Sequence, residues 1–329
     1  MLRLFQSSNP FSIVFYFIFS VAMQLHLILH PASIAGFNHT LTGHLFFENL
    51  LHIQNANIYL ITGIHILIIS LEGILISLVV QRNKIIQKSS LIPAAVFVVI
   101  TSWFPEIQLI SPQIITAFLI TPVLFKIFST YNKTKIDSTI FDTGLITTVA
   151  SLFFYPAIVF CAFSIFAIFR LRSTSFREFL VYLSGVFVIY FLTLTTFFWF
   201  DLLPEFAQQF YLPHSLPSVE LIMSPVYLVR LILLGIVFIT SVWLMGDKFS
   251  SNTVQIRKYF GSFINLFVFS ILILAFCEQI TITDLYFLFI PVTVFIAWYF
   301  AQTKQRLYAE FIFWGMIGTA IIFQYSNFV

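Results

Sequence analysis

The chain has 329 residues, of which 60% are hydrophobic and 9% charged, with a net charge of +3 and a mean hydropathy of +0.99. Soluble domains carry about 25% charged residues, so this composition excludes a water-soluble globular protein. Its long apolar runs exclude a membrane β-barrel, which reads as roughly ten-residue segments of alternating polarity, and the dispersed bases give no footprint for nucleic acid.

In chain order, Arg3 precedes a first apolar run, Phe11 to Leu29, which lacks a small-residue cleavage site and reads as a retained helix. Segment 31–57 contains Glu48 and no lysine or arginine. A second helix over about 58–80 leads into Arg82, Lys84 and Lys88. A hairpin over about 91–128 turns between Pro105 and Pro112, and Lys126, Lys133 and Lys135 mark its return. A second hairpin, Ile136 to Phe169, turns at Tyr155-Pro156, since proline ends one helix and can start the next. It returns at Arg170, Arg172 and Arg177. Segment 199–222 carries Asp201, Glu205 and Glu220 without a base. Asp247, Lys248, Arg257 and Lys258 follow, then Glu278 and Asp284, then Lys304 and Arg306.

Loops rich in lysine and arginine stay in the cytoplasm. The alternation therefore predicts an all-α, polytopic transmembrane helix bundle of about eleven helices. It forms a single integral membrane domain over residues 1–329, with the N-terminus cytoplasmic and the C-terminus external. The four hairpin helices have only about 14–17 apolar residues each, against the usual ~20, so they tilt little, occupy a thinned bilayer or re-enter. With 44 phenylalanines and 11 glycines, packing is expected to rest on bulky aromatic side chains rather than on close small-residue contacts. Cys161 and Cys277 lie far apart in apolar surroundings, which supports neither a disulfide framework nor a thiolate metal site.

Residues 26–54 hold five of the seven histidines and one carboxylate, without lysine or arginine. His26 and His30 fall at the outer end of the first helix; His39, His44, Glu48 and His52 fall in the first external loop; His65 falls near the outer start of the second helix. Neutral imidazole brings polarity to the outer face without the fixed positive charge that topology disfavours there. The histidines are either separate interfacial residues or the lining of a polar chamber.

Glu72 stands in mid-helix, where a carboxylate costs about 2.5–3.5 kcal/mol on insertion scales and so faces protein or water. His65 is seven residues earlier and Thr62 a turn beyond, which makes Thr62, His65 and Glu72 an intramembrane polar seam. A purely structural hydrogen bond from Glu72 to a neighbouring helix reads equally well. Arg230 lies about 27 Å from Lys248 along its helix, near the outer interface. It either snorkels to headgroups or binds an anion, a lipid phosphate being the obvious one. Asp142 sits in the first turns of its helix and reads as structural. His26 and His30 have i,i+4 spacing, but Pro31 marks a helix end there and no metal site is predicted. The sequence contains no G-x-G-x-x-G, Walker A, H-E-x-x-H or G-x-S-x-G signature, and it names no cofactor.

The block KTKIDSTIFDTGLITTVASLFFYPAIVFCAFSIFAIFRLRSTSFREFLVYLSG, with SNPF before the first helix, resembles an uncharacterised family of polytopic membrane proteins from Bacteroidota. That resemblance extends over essentially the whole chain and implies a multi-pass location in the cell inner membrane. The layout of a first helix, an external loop with a carboxylate and paired short helices also resembles the GT-C glycosyltransferases. It implies a polyprenyl-phosphate sugar donor, Glu48 as catalytic base, Arg230 on the lipid phosphate, and His39, His44 and His52 as substrate-binding groups. Many such enzymes carry an aspartate or an acidic pair in that loop, where this chain has Glu48 alone. The alternative is a non-catalytic scaffold or subunit of a cell-envelope assembly, with membrane lipid and envelope proteins as partners and no nucleic acid. A transporter would use Glu72 beneath His65 as a proton relay, but no inverted repeat is visible.

Overall fold

A computed structural model of the protein describes residues 2–6, 9–29, 58–86, 90–104, 107, 110–133, 136–208, 225–249, 252–277, 279–303 and 306–326. Among them the fold is all-helical. A short helix α1 (Leu2–Phe5) precedes α2 (Pro10–Met23), which starts on a proline whose missing N–H is spared by its first-turn position. After the brief α3 (Leu25–Leu29) come the long α4 (Ile58–Arg82) and the ten-residue α5 (Ile92–Thr101). Helix α6 (Pro112–Ser129) opens where Ser111 accepts the Ile114 N–H at 3.4 Å.

Helix α7 (Asp137–Phe153) stops before a 3₁₀ turn, Tyr155–Ile158, and α8 (Val159–Leu171) returns from it. Ser175 and Glu178 close a capping box on α9 (Phe176–Trp199). Helices α10 (Leu203–Gln208), α11 (Pro225–Phe249) and α12 (Val254–Leu274) follow. A 3₁₀ turn, Ile282–Leu285, then leads into α13 (Tyr286–Gln302) and α14 (Arg306–Ser326). Eleven of these helices have ten residues or more, and both hairpins turn where proline predicts. Seven helices are long and apolar enough to cross a membrane.

Contacts sort the helix ends into two sets. At one end the Arg82 guanidinium lies 4.4 Å over the Phe125 ring, and Arg172 donates to the Lys133 carbonyl at 2.6 Å. There too Lys258 donates to the Leu171 carbonyl at 2.9 Å. The ion pairs Arg172–Glu178, Arg177–Asp137 and Lys126–Asp142, at 2.8–2.9 Å, gather at this basic end. At the other end the Gln324 amide donates to the Met23 carbonyl at 2.7 Å, and Gln113 donates to Asp284 at 2.9 Å. Asp142 thus serves a surface ion pair, consistent with its structural reading.

Helix α5 explains the short segments. At 1.5 Å per residue it is about 15 Å long, half of a ~30 Å hydrocarbon core. All ten of its residues are buried, so it is a helix within the protein whose ends need not meet lipid. Helix α13 shares that centre: 83% of its span is buried, against 17% for α9 and α11, which form the apolar rim. Rings line the core between these elements; Phe260, for example, packs 5.5 Å from Phe295 and 5.7 Å from Trp298.

The expectation of packing by bulky aromatic side chains rather than close small-residue contacts fails at one helix pair. Helices α7 and α9 form the most extensive helix pair, and they meet at Gly144 and Gly185. A Cβ on Gly144 would stand 2.6 Å from the Tyr182 carbonyl oxygen, and one on Gly185 would strike the Phe141 carbonyl. Eleven glycines are few, but placement rather than number decides whether two backbones touch.

Candidate functional site

Among the described residues, two polar regions of the interior hold the ionisable side chains Glu72 and Arg230. The first lies around α4. Glu72 is wholly buried, and its Oε2 accepts the Tyr286 hydroxyl of α13 at 2.5 Å. The Tyr16 hydroxyl donates to the Ser70 carbonyl at 2.9 Å, and the Ser20 and Ser70 hydroxyls lie 2.7 Å apart. Two turns deeper than Ser70, Ser77 Oγ accepts the Ala94 N–H at 2.9 Å. Ser12, Tyr16, Ser20 and Gln24 recur every four residues and are all buried, so α2 turns one polar stripe toward α4. Opposite it stands Ser70; Thr62, His65 and Glu72, also buried, lie on another face of α4, where Glu72 meets Tyr286 of α13. The Thr62 hydroxyl is spent on the Ile58 carbonyl at 2.9 Å.

The sequence reading placed Thr62, His65 and Glu72 on one face but missed the stripe on α2. Four residues at i,i+4 spacing in an otherwise greasy helix were the available signal. It also missed Tyr286, for which no signal existed, since 214 residues separate it from Glu72.

The second region lies at the end away from the basic loops. Arg230 is completely buried on α11 rather than snorkelling outward. Its Nη2 donates to the Phe323 carbonyl at 3.1 Å, and its guanidinium lies 5.3 Å from the Tyr227 ring centre and 5.1 Å from that of Phe323. Gln324 binds the Met23 carbonyl, and the Tyr325 ring stands edge-on to His26 at 5.1 Å. Three consecutive residues of α14 therefore hold Arg230, the end of α2 and His26 around one point. A cation beside a helix C-terminal carbonyl suits the local dipole, and aromatic faces offset part of its desolvation.

Glu48, His39, His44 and His52 lie outside the described residues, as does His30. Among the described residues no group of three or more histidine, cysteine or acidic side chains could hold a metal ion.

The chain matches a family of unknown function (DUF6427) over residues 37–329. No curated protein and no solved structure matches it.

Proposed function

Since the chain belongs to that family of unknown function, we propose its role from the site itself: an inner-membrane protein that holds the phosphate of a lipid-linked substrate at the Arg230 end of the bundle. In this reading the layout is that of a GT-C enzyme, and a sugar passes from a polyprenyl-phosphate donor to an acceptor. The observation that carries it is the complete burial of Arg230 at the end opposite the basic loops. Two aromatic faces and one carbonyl hold its plane, and a planar fork suits a phosphate.

His26, at the same point, heads the segment that carries His39, His44, Glu48 and His52. Glu48 would remove the acceptor hydroxyl proton as the bond from sugar to phosphate breaks, and Arg230 would stabilise the charge gathering on the phosphate. The three loop histidines would hydrogen-bond the sugar. The experiment is binding of a short-chain polyprenyl phosphate to the purified protein, alongside transfer from the matching sugar-linked lipid. Arg230→Ala is expected to weaken lipid binding, and Glu48→Gln to abolish transfer while sparing binding. Unchanged binding in folded Arg230→Ala overturns the reading. Lipid binding with no transfer by the native protein would favour the non-catalytic scaffold of an envelope assembly.

A further inference from the structure

At the basic end of the bundle a cleft opens between α8 and the start of α9. Helix α9 packs closely along α7 but only sparsely on α8, which leaves about 220 Å³ of empty space, the open mouth included. Ile140 of α7, Ile165, Ile168 and Phe169 of α8, and Phe179 of α9 line it. The polar groups in its wall are already engaged. The Glu178 carboxylate accepts from Arg172 at 2.9 Å and from the Ser175 N–H at 3.1 Å, and the Tyr182 hydroxyl donates to the Cys161 carbonyl at 3.0 Å. The cleft therefore offers an apolar surface. Phe169 is 48% exposed, so the opening faces the outside of the bundle.

Bases gather at its mouth. Arg172 bridges α8 to Glu178 and also donates to the Lys133 carbonyl, which brings Lys133 to the same place. Arg177, two residues before Phe179, pairs at 2.8 Å with Asp137, which lies one helical turn before Ile140. Lys133, Arg172 and Arg177 thus stand against Asp137 and Glu178, and Arg82, Lys84, Arg170, Arg257 and Lys258 add positive charge to the rest of this end. The Arg177 side chain is 80% exposed. Surface ion pairs of its kind contribute little, and its guanidinium has further N–H donors to offer. A phospholipid with a negative headgroup complements both features: an acyl chain matches the apolar cleft, and a phosphate matches the basic rim.

We propose that the cleft between α8 and α9 holds an anionic phospholipid of the leaflet that meets the basic end. One acyl chain lies against Ile165, Ile168 and Phe179, and the headgroup phosphate takes charge-assisted hydrogen bonds from Arg177, with Lys133 and Arg172 adding to the attraction. A zwitterionic lipid fills the cleft equally well but leaves the excess of bases unmatched, so the headgroup charge decides which lipid stays. The site lies at the opposite end of the bundle from Arg230 and stands independently of sugar transfer.

Native mass spectrometry of the full, delipidated chain tests it, with phosphatidylglycerol and phosphatidylcholine of identical acyl chains as probes. One phosphatidylglycerol is expected to bind in preference to phosphatidylcholine. Arg177→Gln and Lys133→Gln should each lower that preference about fivefold, the scale of one base at an anionic lipid surface. Lys84→Gln, at the end of α4, should leave it unchanged. Ile165→Trp fills the cleft from a partly exposed position and should weaken binding of both lipids. If it fails to fold, Thr174→Trp in the loop between α8 and α9 obstructs the mouth instead. Equal binding of the two lipids by the native protein, or no binding, overturns the proposal. So does an equal loss of preference in Lys84→Gln, a preference that survives Arg177→Gln and Lys133→Gln, or binding that a folded tryptophan variant leaves intact.

Discussion

At the residue scale, the Tyr286–Glu72 bond joins the largely buried α13 to the polar face of α4. Side-chain hydrogen bonds within membranes contribute about 0.6 kcal/mol on average and up to ~1.7. Tyr286→Phe is expected to destabilise within that range. Glu72→Leu should cost more, about 1–3 kcal/mol, because it leaves the Tyr286 hydroxyl buried without an acceptor. Glu72→Gln keeps an acceptor and should stay close to native. Unfolding in mixed micelles, followed by circular dichroism, ranks the three. Equal losses for Leu and Gln would remove Tyr286 as the determining partner. The carboxylate itself was legible in the sequence because it is costly wherever it stands in a membrane helix. Its partner was not, because tyrosine is an ordinary residue at a helix end.

At the element scale, two predominantly apolar helices occupy opposite positions. Helix α5 is apolar all round and wholly buried, whereas the predominantly apolar α9 faces outward. Length separates them, since ten residues cannot reach both sides of a bilayer. The α7–α9 contact gives a prediction of opposite signs. Gly235 on α11 has open space around it, so Gly235→Ala should stabilise by up to about 1 kcal/mol through helix propensity. At Gly144 the obstacle is the Tyr182 carbonyl, a backbone atom that cannot turn aside, so Gly144→Ala should destabilise by about 1–3 kcal/mol. The same unfolding measurement checks both, and a stabilised Gly144→Ala would mean that α7 and α9 sit farther apart. The N-terminus of α9 offers a third comparison. Ser175→Ala breaks the capping box and should cost about 1 kcal/mol, whereas Ser184→Ala on the exposed mid-helix face should be nearly neutral.

At the scale of the molecule, the basic ends lie together, and Arg230, Gln324 and Asp284 lie away from them. By the positive-inside rule the basic end is expected on the cytoplasmic side. In a Cys161→Ser/Cys277→Ser background, Gln279→Cys in intact cells should react with a membrane-impermeant maleimide. Arg177→Cys should react only after permeabilisation. Both native positions are exposed, so access is set by the membrane alone. The reverse pattern would invert the bundle, and labelling of both from outside would break the two-ended scheme.

Membrane class, helix number and the two turns follow from the sequence by itself. Each depends on a local quantity: the partitioning of about twenty residues, the charge of one loop, or a proline that cannot continue a helix. Which helices touch depends on something else. Lipid tails are as apolar as leucine, so hydropathy does not distinguish a face that meets lipid from one that meets protein. Shape and a few distant polar pairs decide it. Gln324 reaches Met23 across 301 residues, Tyr286 reaches Glu72 across 214, and Arg230 reaches Phe323 across 93. The polar seam was therefore half visible, as a stripe on α4. Only the tertiary structure brought Tyr286 of α13 to Glu72 and set the polar stripe of α2 against Ser70.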